Sequence, residues 1–351
     1  MNSTKFTKKV SEFMNRKINC AVIGLGKIGL LYDLESNREK PSSHTLAYHL
    51  NDNYNLVGAV DPLVEKELIL EKFVPSAKFY PKVEQLFYNH AIDVVSVCTP
   101  PYNRYHLIQK ILEYSSPKII FCEKPIESSF VNAKKLISLI NQTDTILIPN
   151  FSRRWNQGMQ KVRECIIDNV YGRPIKIHVR YTRGIFNTGS HLFDLIRFML
   201  GDIEEVRVLE KITTSAEEEG EYSFTFHFRV NSNIIGYAEA FNDQNYYMFE
   251  IDIYFEYGKV EIMNSGNEVN YYRTGDHPLF EGWKSLQKET TQTNLLQDSN
   301  LKNAMCHIAD ILLYNEKPVA NESDGIYPLM VAEALMKSFI NKGSLEKVEQ
   351  L

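Results

Sequence analysis

Five short apolar segments within the first 150 residues constrain the fold of this chain more than any other feature. They are residues 18–24, 56–60, 93–98, 118–122 and 145–148. Each is apolar along nearly its whole length instead of alternating with polar residues, which is typical of strands buried on both faces. Segments with helical spacing, such as 105–114 and 129–139, lie between them. The alternation predicts parallel strands joined by right-handed helical crossovers, that is, an α/β Rossmann domain with a doubly wound parallel sheet.

The pattern changes after about residue 151. Strand-like segments follow one another at 175–183, 205–213, 221–230, 233–241, 247–255 and 258–263. Several of them alternate polar and apolar residues, which indicates a sheet with one buried and one open face. Helical patterns flank them at 156–168, 190–200, 300–314 and 325–341, and we expect the polar stretch 274–299 to be a long loop. The second half is therefore predicted to be an α+β domain with a large, mostly antiparallel, open-faced sheet.

The length of 351 residues suits two domains better than one hydrophobic core. We place an N-terminal tail at 1–17, the Rossmann domain at 18–150 and the α+β domain at 151–351. The tail is basic but lacks the apolar core of a signal peptide, and no stretch approaches the ~20 apolar residues of a membrane span. We therefore expect a cytoplasmic protein without a membrane partner.

The composition excludes several classes of function. A net charge of −5 and an isoelectric point near 6.0 argue against a nucleic-acid-binding protein, which normally presents a basic face. The five cysteines form no Cys-x-x-Cys pair, which favours reduced and mostly buried thiols over a catalytic cysteine. The nine histidines include no His-Glu-x-x-His motif, so we expect no metal site.

A glycine-rich motif follows the first predicted strand directly. Gly24, Gly26 and Gly29 form a G-x-G-x-x-G pattern with Lys27 and Ile28 inside it. The first glycine permits a tight turn, the second lets a pyrophosphate approach the backbone, and the third allows close packing of helix on strand. The backbone of these five residues then binds the pyrophosphate at a helix N-terminus. Strand and motif together predict a dinucleotide-binding site.

Asp61 ends the second predicted strand, where an acidic side chain binds the adenosine ribose hydroxyls. A carboxylate there disfavours a 2′-phosphate, so we expect NAD as the cofactor, with NADP less favoured. Asp61 lies 32 residues after Gly29 rather than the usual ~20. We assign the excess to an excursion at 32–43, after which the helix resumes near Ser43 and His44. The alternative role for Asp61 is that of a turn-forming Asp-Pro residue.

Two further strand ends carry polar residues at the edge where a doubly wound sheet binds its ligands. Thr99 and Pro100 follow one strand, and Glu123 and Lys124 end the next. The Lys124 ammonium group at this position reaches the nicotinamide and the carbon to be oxidised, and it can hydrogen-bond a substrate oxygen. An ordinary solvated lysine is the alternative.

In this order the segments GLGKIG, LVGAVDP, VSVCTPP and IIFCEKPIE resemble the glucose–fructose oxidoreductase, inositol dehydrogenase and rhizopine-catabolism (Gfo/Idh/MocA) family. The resemblance extends over nearly the whole chain. It implies that Lys124 is catalytic and that Thr99, Pro100 and Glu123 lie beside the bound cofactor. It also implies that the last helix, at about 325–341, packs back toward the Rossmann domain. Because family members are commonly dimers or tetramers, we expect a homodimer or homotetramer.

The segment 187–194 resembles the second half of the family's active site, an aspartate and a histidine at the start of a helix. The resemblance implies that His191 is a general acid/base that moves the hydroxyl proton. Asn187 stands where many members have aspartate and can hydrogen-bond a substrate hydroxyl without accepting its proton. Asp194 either orients the imidazole or supports the helix. A purely structural role for His191 remains the alternative.

Four arginines near these motifs have open roles. Arg104 occupies the place of a frequent family histidine, which puts any family role of that position in doubt. Arg183, Arg153 and Arg154 are candidates for binding an anionic part of the substrate. Salt bridges on the surface or between domains explain each of these three equally well.

The resemblance implies an NAD-dependent oxidoreductase acting on a secondary alcohol of a sugar, inositol or nucleotide sugar. Lys124 and His191 would handle the proton while hydride passes to the cofactor. One alternative is a regulatory protein of the same fold that binds NAD and a sugar without turnover. Another is a reductase of a non-sugar carbonyl.

Overall fold

The computed structural model describes residues 16–214, 220–231 and 233–350, which form two compact units. The first unit extends to Trp155 and includes Asp298–Ile326. The second comprises Asn156–Gln297 and the chain from Tyr327 onward. The predicted tail at 1–17 lies almost wholly outside the described residues. The helix at 300–314, which we had placed with the second domain, lies in the first unit.

A six-stranded parallel sheet forms the centre of the first unit. Its strands are β1 (Ile18–Ile23), β2 (Tyr54–Val60), β3 (Lys78–Tyr80), β4 (Val94–Val97), β5 (Ile119–Glu123) and β6 (Ile146–Asn150). Their order β3-β2-β1-β4-β5-β6 is that of a doubly wound sheet, so the predicted fold of this half is confirmed. Only the three-residue β3 was missed, because so short a strand has too few residues to show a periodicity.

Helices connect the strands of this sheet. They are α1 (His44–His49), α2 (Lys66–Phe73), α3 (Val83–Asn89), α4 (Arg104–Tyr114) and α5 (Phe130–Ile140), and α8 (Asn300–Tyr314) joins them from far along the chain. The apolar face of α8 lies in the same buried cluster as β1 and β2. The Tyr54 hydroxyl donates to the Met305 carbonyl at 2.7 Å, which ties α8 to the start of β2.

An insertion interrupts the helix that follows the glycine motif. The N–H groups of His44 and Thr45 donate to the carbonyls of Ile28 and Gly29 at 3.0 and 3.2 Å. In an unbroken helix the donor to Ile28 is residue 32, so the insertion adds 44 − 32 = 12 residues. Subtracting them from the 32-residue distance between Gly29 and Asp61 leaves 20, the usual value. The excursion predicted at 32–43 is thus an insertion, beginning with the short 3-10 helix Leu31–Leu34, into a helix whose hydrogen-bond ladder continues behind it.

The second unit is built on a nine-stranded sheet. Its strands are β7 (Pro174–Tyr181), β8 (Ile203–Ile212), β9 (Ser223–Val230), β10 (Ile234–Ala240), β11 (Phe249–Phe255), β12 (Gly258–Met263), β13 (Glu268–Asp276), β14 (Lys284–Gln292) and β15 (Glu346–Lys347). The order is β14-β13-β12-β11-β7-β10-β9-β8-β15, and β7–β10 is the one parallel pair among these neighbours. Buried and more exposed residues alternate along β10 and β12, as the sequence pattern predicted.

Three helices complete the described fold: α6 (Gln157–Ile167), α7 (Gly189–Leu200) and α9 (Glu322–Ile340). Ten of the twelve residues of α7 are buried, and Phe193 packs edge-on against Phe226 of β9. Gly189 and Ser190, which begin α7, therefore lie on a helix that is held in place by its packing in the core. Within the described ranges, no helix is both long and apolar enough to cross a membrane.

The prediction of a long loop at 274–299 is wrong. The end of β13 and all of β14 lie within it, and the two strands pair antiparallel from Val269–Gln292 to Asp276–Lys284. β14 is an edge strand whose residues are almost all exposed, so it needs no apolar face. This polar segment has no alternating apolar residues, and it is a strand because it hydrogen-bonds to β13. A sequence pattern does not show such pairing.

Candidate functional site

The three glycines of the motif differ in what surrounds them. Gly24 has a φ of +96°, and a Cβ there would lie 2.8 Å from the Thr99 nitrogen. A Cβ on Gly29 would lie 1.9 Å from the Gly24 carbonyl oxygen. A Cβ on Gly26, by contrast, would meet no atom within 4 Å. Gly24 and Gly29 are therefore required by the backbone itself, whereas Gly26 leaves open space, as a bound pyrophosphate requires.

The backbone around Gly26 presents hydrogen-bond donors. The Gly26 carbonyl accepts from the N–H groups of Leu30 and Leu31, so a helical turn begins here. Across the described chain, no acceptor is found for the N–H groups of Gly26, Lys27, Ile28 and Gly29. Free N–H groups at a helix start carry partial positive charge and favour an anion. The loop thus fits the pyrophosphate of a dinucleotide.

Asp61 holds the glycine loop from the end of β2. Its Oδ2 accepts from the Leu25 N–H at 2.7 Å and from the Lys66 ammonium group at 2.8 Å. Its Oδ1 accepts from the Leu63 N–H at 3.0 Å, so Asp61 also forms the turn that we had considered as its alternative role. The carboxylate is 5% exposed and sits between the loop and the start of α2. Lys66, which partly neutralises it, was not singled out from the sequence.

Glu123 belongs to a buried polar chain that the sequence did not predict. Its Oε1 accepts from the Asn150 amide at 2.6 Å and lies 2.9 Å from Nε2 of His44. Nδ1 of His44 lies 2.9 Å from the Ser96 hydroxyl, which in turn is 2.8 Å from the Tyr48 hydroxyl. The chain joins α1 to the ends of β4, β5 and β6. His44 reaches it only because the helix resumes behind the insertion.

These neighbouring groups lower the pKa of the Glu123 carboxyl group. Burial by itself raises the pKa of the carboxyl group. The hydrogen bond and charge of His44, the Asn150 amide and the Arg104 guanidinium outweigh burial and hold the pKa below its usual value. The Glu123 carboxylate therefore stays ionised, and its Oε1 is held by His44 and Asn150.

Arg104 is the second group that the sequence did not assign. It begins α4, is 3% exposed, and donates from Nε to the Thr99 carbonyl at 3.0 Å. Nη2 also donates to the Thr99 carbonyl, and Nη1 donates to the carbonyls of Glu123 and Pro125. The guanidinium thus joins the ends of β4 and β5. The departure from the family histidine was the only sequence signal for this role.

The predicted cofactor residues of the first unit share one edge of its sheet. Lys124 follows β5 directly and is half-buried, and Thr99 follows β4 with its backbone against Gly24. Pro100 is exposed beside Thr99. The structure therefore brings the glycine loop, Thr99 and Asp61 together at the carboxyl edge.

Asn187 lies in a single wide turn of π-helix, Gly184–Thr188, that runs straight into α7. The N–H groups of Phe186 and Asn187 donate to Glu221 Oε1 at 2.7 and 3.3 Å. The Asn187 carbonyl accepts from the Ser190 hydroxyl at 2.7 Å. Single π turns are frequent at functional sites, and Glu221, which the sequence did not single out, fixes this one.

His191 and Asp194 lie on the first turns of α7 in the second unit. His191 is half-buried, whereas Asp194 is 1% exposed one turn later. The spacing of three residues puts both on one face of the helix.

The three candidate substrate arginines differ in their surroundings. Arg154 donates to the Val319 carbonyl at 2.7 Å and to Asp324 at 2.9 Å, and it is 3% exposed, which are the contacts of a structural arginine. Arg153 is half-buried. Arg183 is exposed and adopts a left-handed conformation, with a φ of +62°, directly before the π turn. Non-glycine residues in this conformation are uncommon and cluster at functional sites, so Arg183 is the strongest candidate.

Comparison with known proteins agrees with the fold. The sequence profile of the oxidoreductase family with an NAD-binding Rossmann fold (GFO_IDH_MocA) matches residues 18–151. The myo-inositol 2-dehydrogenase of Thermotoga maritima is 26% identical over 200 residues, which are 53% of this chain and 56% of that protein. The chain thus spans about half the length of this curated relative.

Solved structures match the whole fold at low identity. The WlbA dehydrogenase of Chromobacterium violaceum, in complex with NADH and UDP-GlcNAcA, has a TM-score of 0.77 at 15% identity, covering 96% of this chain and 97% of that one. A super-repressor mutant of Gal80p from Saccharomyces cerevisiae has a TM-score of 0.76 at 14% identity, covering 95% and 99%. These two likenesses concern the fold alone. Residues 18–151 match the NAD-binding Rossmann fold of the Gfo/Idh/MocA oxidoreductases, so this part of the chain is similar to that family.

Proposed function

We propose that this protein is an NAD-dependent oxidoreductase acting on a secondary alcohol, or the corresponding ketone, of a sugar, inositol or nucleotide sugar. The observation that carries the proposal is the loop at Gly26, which combines open space with four unused N–H donors. A structural glycine turn needs neither feature, whereas a pyrophosphate needs both.

The chain's residues fit NAD along the carboxyl edge of the first sheet. The backbone of residues 26–29 would hold the pyrophosphate, Asp61 the adenosine ribose, and Thr99 and Pro100 the nicotinamide ribose. The Asp61 carboxylate favours NAD because a 2′-phosphate would place two negative charges together. When bound, the nicotinamide supplies a hydride acceptor or donor.

Lys124 and His191 are proposed to handle the proton. The Lys124 ammonium would hydrogen-bond the substrate oxygen from the end of β5, and His191 would take the hydroxyl proton in the oxidative direction. Asn187 would hydrogen-bond a neighbouring hydroxyl, since an amide donates and accepts without titrating. The rate of oxidation should therefore rise with pH as the base loses its proton.

Two features favour a polyhydroxylated or nucleotide-linked substrate. The relative from Thermotoga maritima is a myo-inositol 2-dehydrogenase, and the WlbA structure holds UDP-GlcNAcA. In this chain the exposed Arg183, held in a left-handed conformation beside the Asn187 turn, would bind an anionic group such as a diphosphate. We further propose a homodimer or homotetramer, which light scattering on the purified protein would test.

The second candidate function is regulation without turnover. It is favoured by the fold shared with Gal80p, whose solved variant is described as a super-repressor. It is weakened by the presence of both Lys124 and His191, since a protein that only binds NAD and a sugar needs neither group. A reductase of a non-sugar carbonyl is the remaining possibility among enzymes.

The test combines cofactor binding with turnover in matched variants. Binding of NAD and NADP is measured by calorimetry, and a panel of inositols, sugars and nucleotide sugars is assayed by absorbance of the reduced cofactor. Lys124→Ala is compared with Lys118→Ala, which changes a lysine at the opposite, amino end of the same strand. Turnover lost only in Lys124→Ala, with NAD binding kept, supports the proposal. Tight NAD binding without turnover across the panel favours the regulatory protein, and no binding of either cofactor refutes both.

A further inference from the structure

A single buried guanidinium bridges the two strand ends that carry the predicted cofactor residues. We infer that Arg104 is a positioning residue that fixes the backbone of Lys124, and this inference rests on the proposed function. The Glu123 carbonyl, to which Arg104 donates, belongs to the peptide group that carries the Lys124 N–H. The Pro125 carbonyl, to which Arg104 also donates, belongs to the peptide group between Pro125 and Ile126. Lys124 is thus held by contacts on both sides.

The same side chain extends this control to the neighbouring strand end. Nε and Nη2 both donate to the Thr99 carbonyl, which belongs to the Thr99–Pro100 peptide group. Thr99 in turn lies against Gly24 of the glycine loop. One rigid, planar group therefore sets the separation between the end of β4 and the residue that follows β5.

A second contact joins α4 to the same segment. Glu127, which is fully buried, accepts from the Tyr105 N–H at 2.9 Å and from the Ser128 N–H at 2.7 Å. Its carboxylate thus takes up a free N–H group in the first turn of α4, where negative charge is favourable. Segment 123–127 is therefore bound to the start of α4 by the Arg104 side chain in one direction and by the Glu127 side chain in the other.

The chemistry of arginine predicts that no other side chain can make the contacts of Arg104. Arg104 is buried, and every hydrogen-bond acceptor that the structure gives it is a backbone carbonyl. Only guanidinium offers five donors in one plane, enough for three carbonyl oxygens at two strand ends. A lysine ammonium is a point donor, and a histidine ring has at most two donors that point in opposite directions.

The experiment compares Arg104→Met and Arg104→Lys with wild type. We expect kcat to fall about 100-fold in Arg104→Met, because a misplacement near 1 Å costs about that much. KM for the substrate should change by less than about threefold, since substrate contacts made equally in ground and transition states are kept. Arg104→Lys should recover part of kcat. Hydrogen exchange of the backbone amides at 123–127, measured without cofactor or substrate, should be faster in Arg104→Met than in wild type.

Arg16→Met is the matched control. Arg16 pairs with Asp93 through two hydrogen bonds of 2.7 and 2.9 Å beside the amino ends of β1 and β4, so the same substitution falls at the opposite edge of the sheet. It should leave kcat and the exchange at 123–127 as in wild type. An unchanged kcat in Arg104→Met, a loss shared by Arg16→Met, or a loss carried by KM instead of kcat would overturn the inference.

The exchange measurement separates this inference from the proposed function. If the wild-type protein turns over no substrate of the panel, the proposed function fails. Exchange at 123–127 that is faster only in Arg104→Met then still supports the positioning of Lys124. Unchanged exchange there overturns it, whatever the activity.

Discussion

The glycine motif offers a direct separation of structural from functional residues. Gly26→Ala adds a methyl group to open space at a residue whose φ is not in the left-handed region, so the native fold loses nothing. Alanine also restricts the unfolded chain, and we expect the free energy of unfolding to stay equal or to rise by about 0.4–1 kcal/mol. The new methyl group would occupy the space of the pyrophosphate. Overpacking costs about 1–3 kcal/mol, so NAD affinity should fall by about 5- to 150-fold.

Gly24→Ala and Gly29→Ala should behave in the opposite way. Alanine at residue 24 would keep a φ of +96° and place its Cβ 2.8 Å from the Thr99 nitrogen. Left-handed backbone costs about 1–2 kcal/mol in an alanine before any clash is counted. Alanine at residue 29 would lie 1.9 Å from the Gly24 carbonyl oxygen, which only a backbone shift relieves. Both variants should therefore unfold at lower denaturant concentration than wild type, and Gly29→Ala earliest.

Urea unfolding followed by circular dichroism, with calorimetric titration of NAD into the folded variants, checks this set. A Gly26→Ala protein that is clearly destabilised would refute the claim of open space at that residue. One that binds NAD like wild type would refute the assignment of this loop to the pyrophosphate. If Gly24→Ala were as stable as wild type, the strain attributed to its backbone would be wrong.

Three further predictions concern charge and reactivity. Because the pKa of Glu123 is lowered in the folded state, its contribution to stability is present above the usual glutamate pKa and is lost as pH falls through the lowered value. Wild type should therefore lose its stability advantage over Glu123→Gln as the pH falls below the usual glutamate pKa in thermal unfolding scans, and a constant difference would contradict this. Burial raises the pKa of Cys122 to about 11 and also raises the pKa of the buried Cys20 and Cys98 thiols. A thiol reagent near neutral pH should therefore label the exposed Cys306 first, as peptide mass mapping would show. Early labelling of Cys20, Cys98 or Cys122 would be inconsistent with their burial in the core. Asp61→Ser should weaken NAD binding and improve the affinity for NADP relative to NAD, measured by titration of both cofactors, and an unchanged ratio would remove Asp61 from cofactor selection.

Local patterns sufficed to predict the main elements of this chain. Continuous apolar runs predicted the parallel strands because both faces of these strands are buried. The G-x-G-x-x-G motif predicted the tight turn because only glycine fits at residues 24 and 29. The break in helical pattern at 32–43 even located the insertion, since polar and proline residues there disrupt the apolar face. The hairpin of β13 and β14 was missed because an exposed edge strand carries no such pattern.

The sequence by itself determined which residue types stand at the strand ends, and therefore the class of chemistry that this chain supports. The tertiary structure decided what those residues do within each unit. His44, Ser96 and Glu123 are up to 79 residues apart and meet because parallel strands end at one edge and the helix ladder resumes behind the insertion. The Arg104 side chain finds its three carbonyls for the same reason. Such contacts depend on the distances between chain segments that are remote in sequence, and no local pattern of residues records those distances.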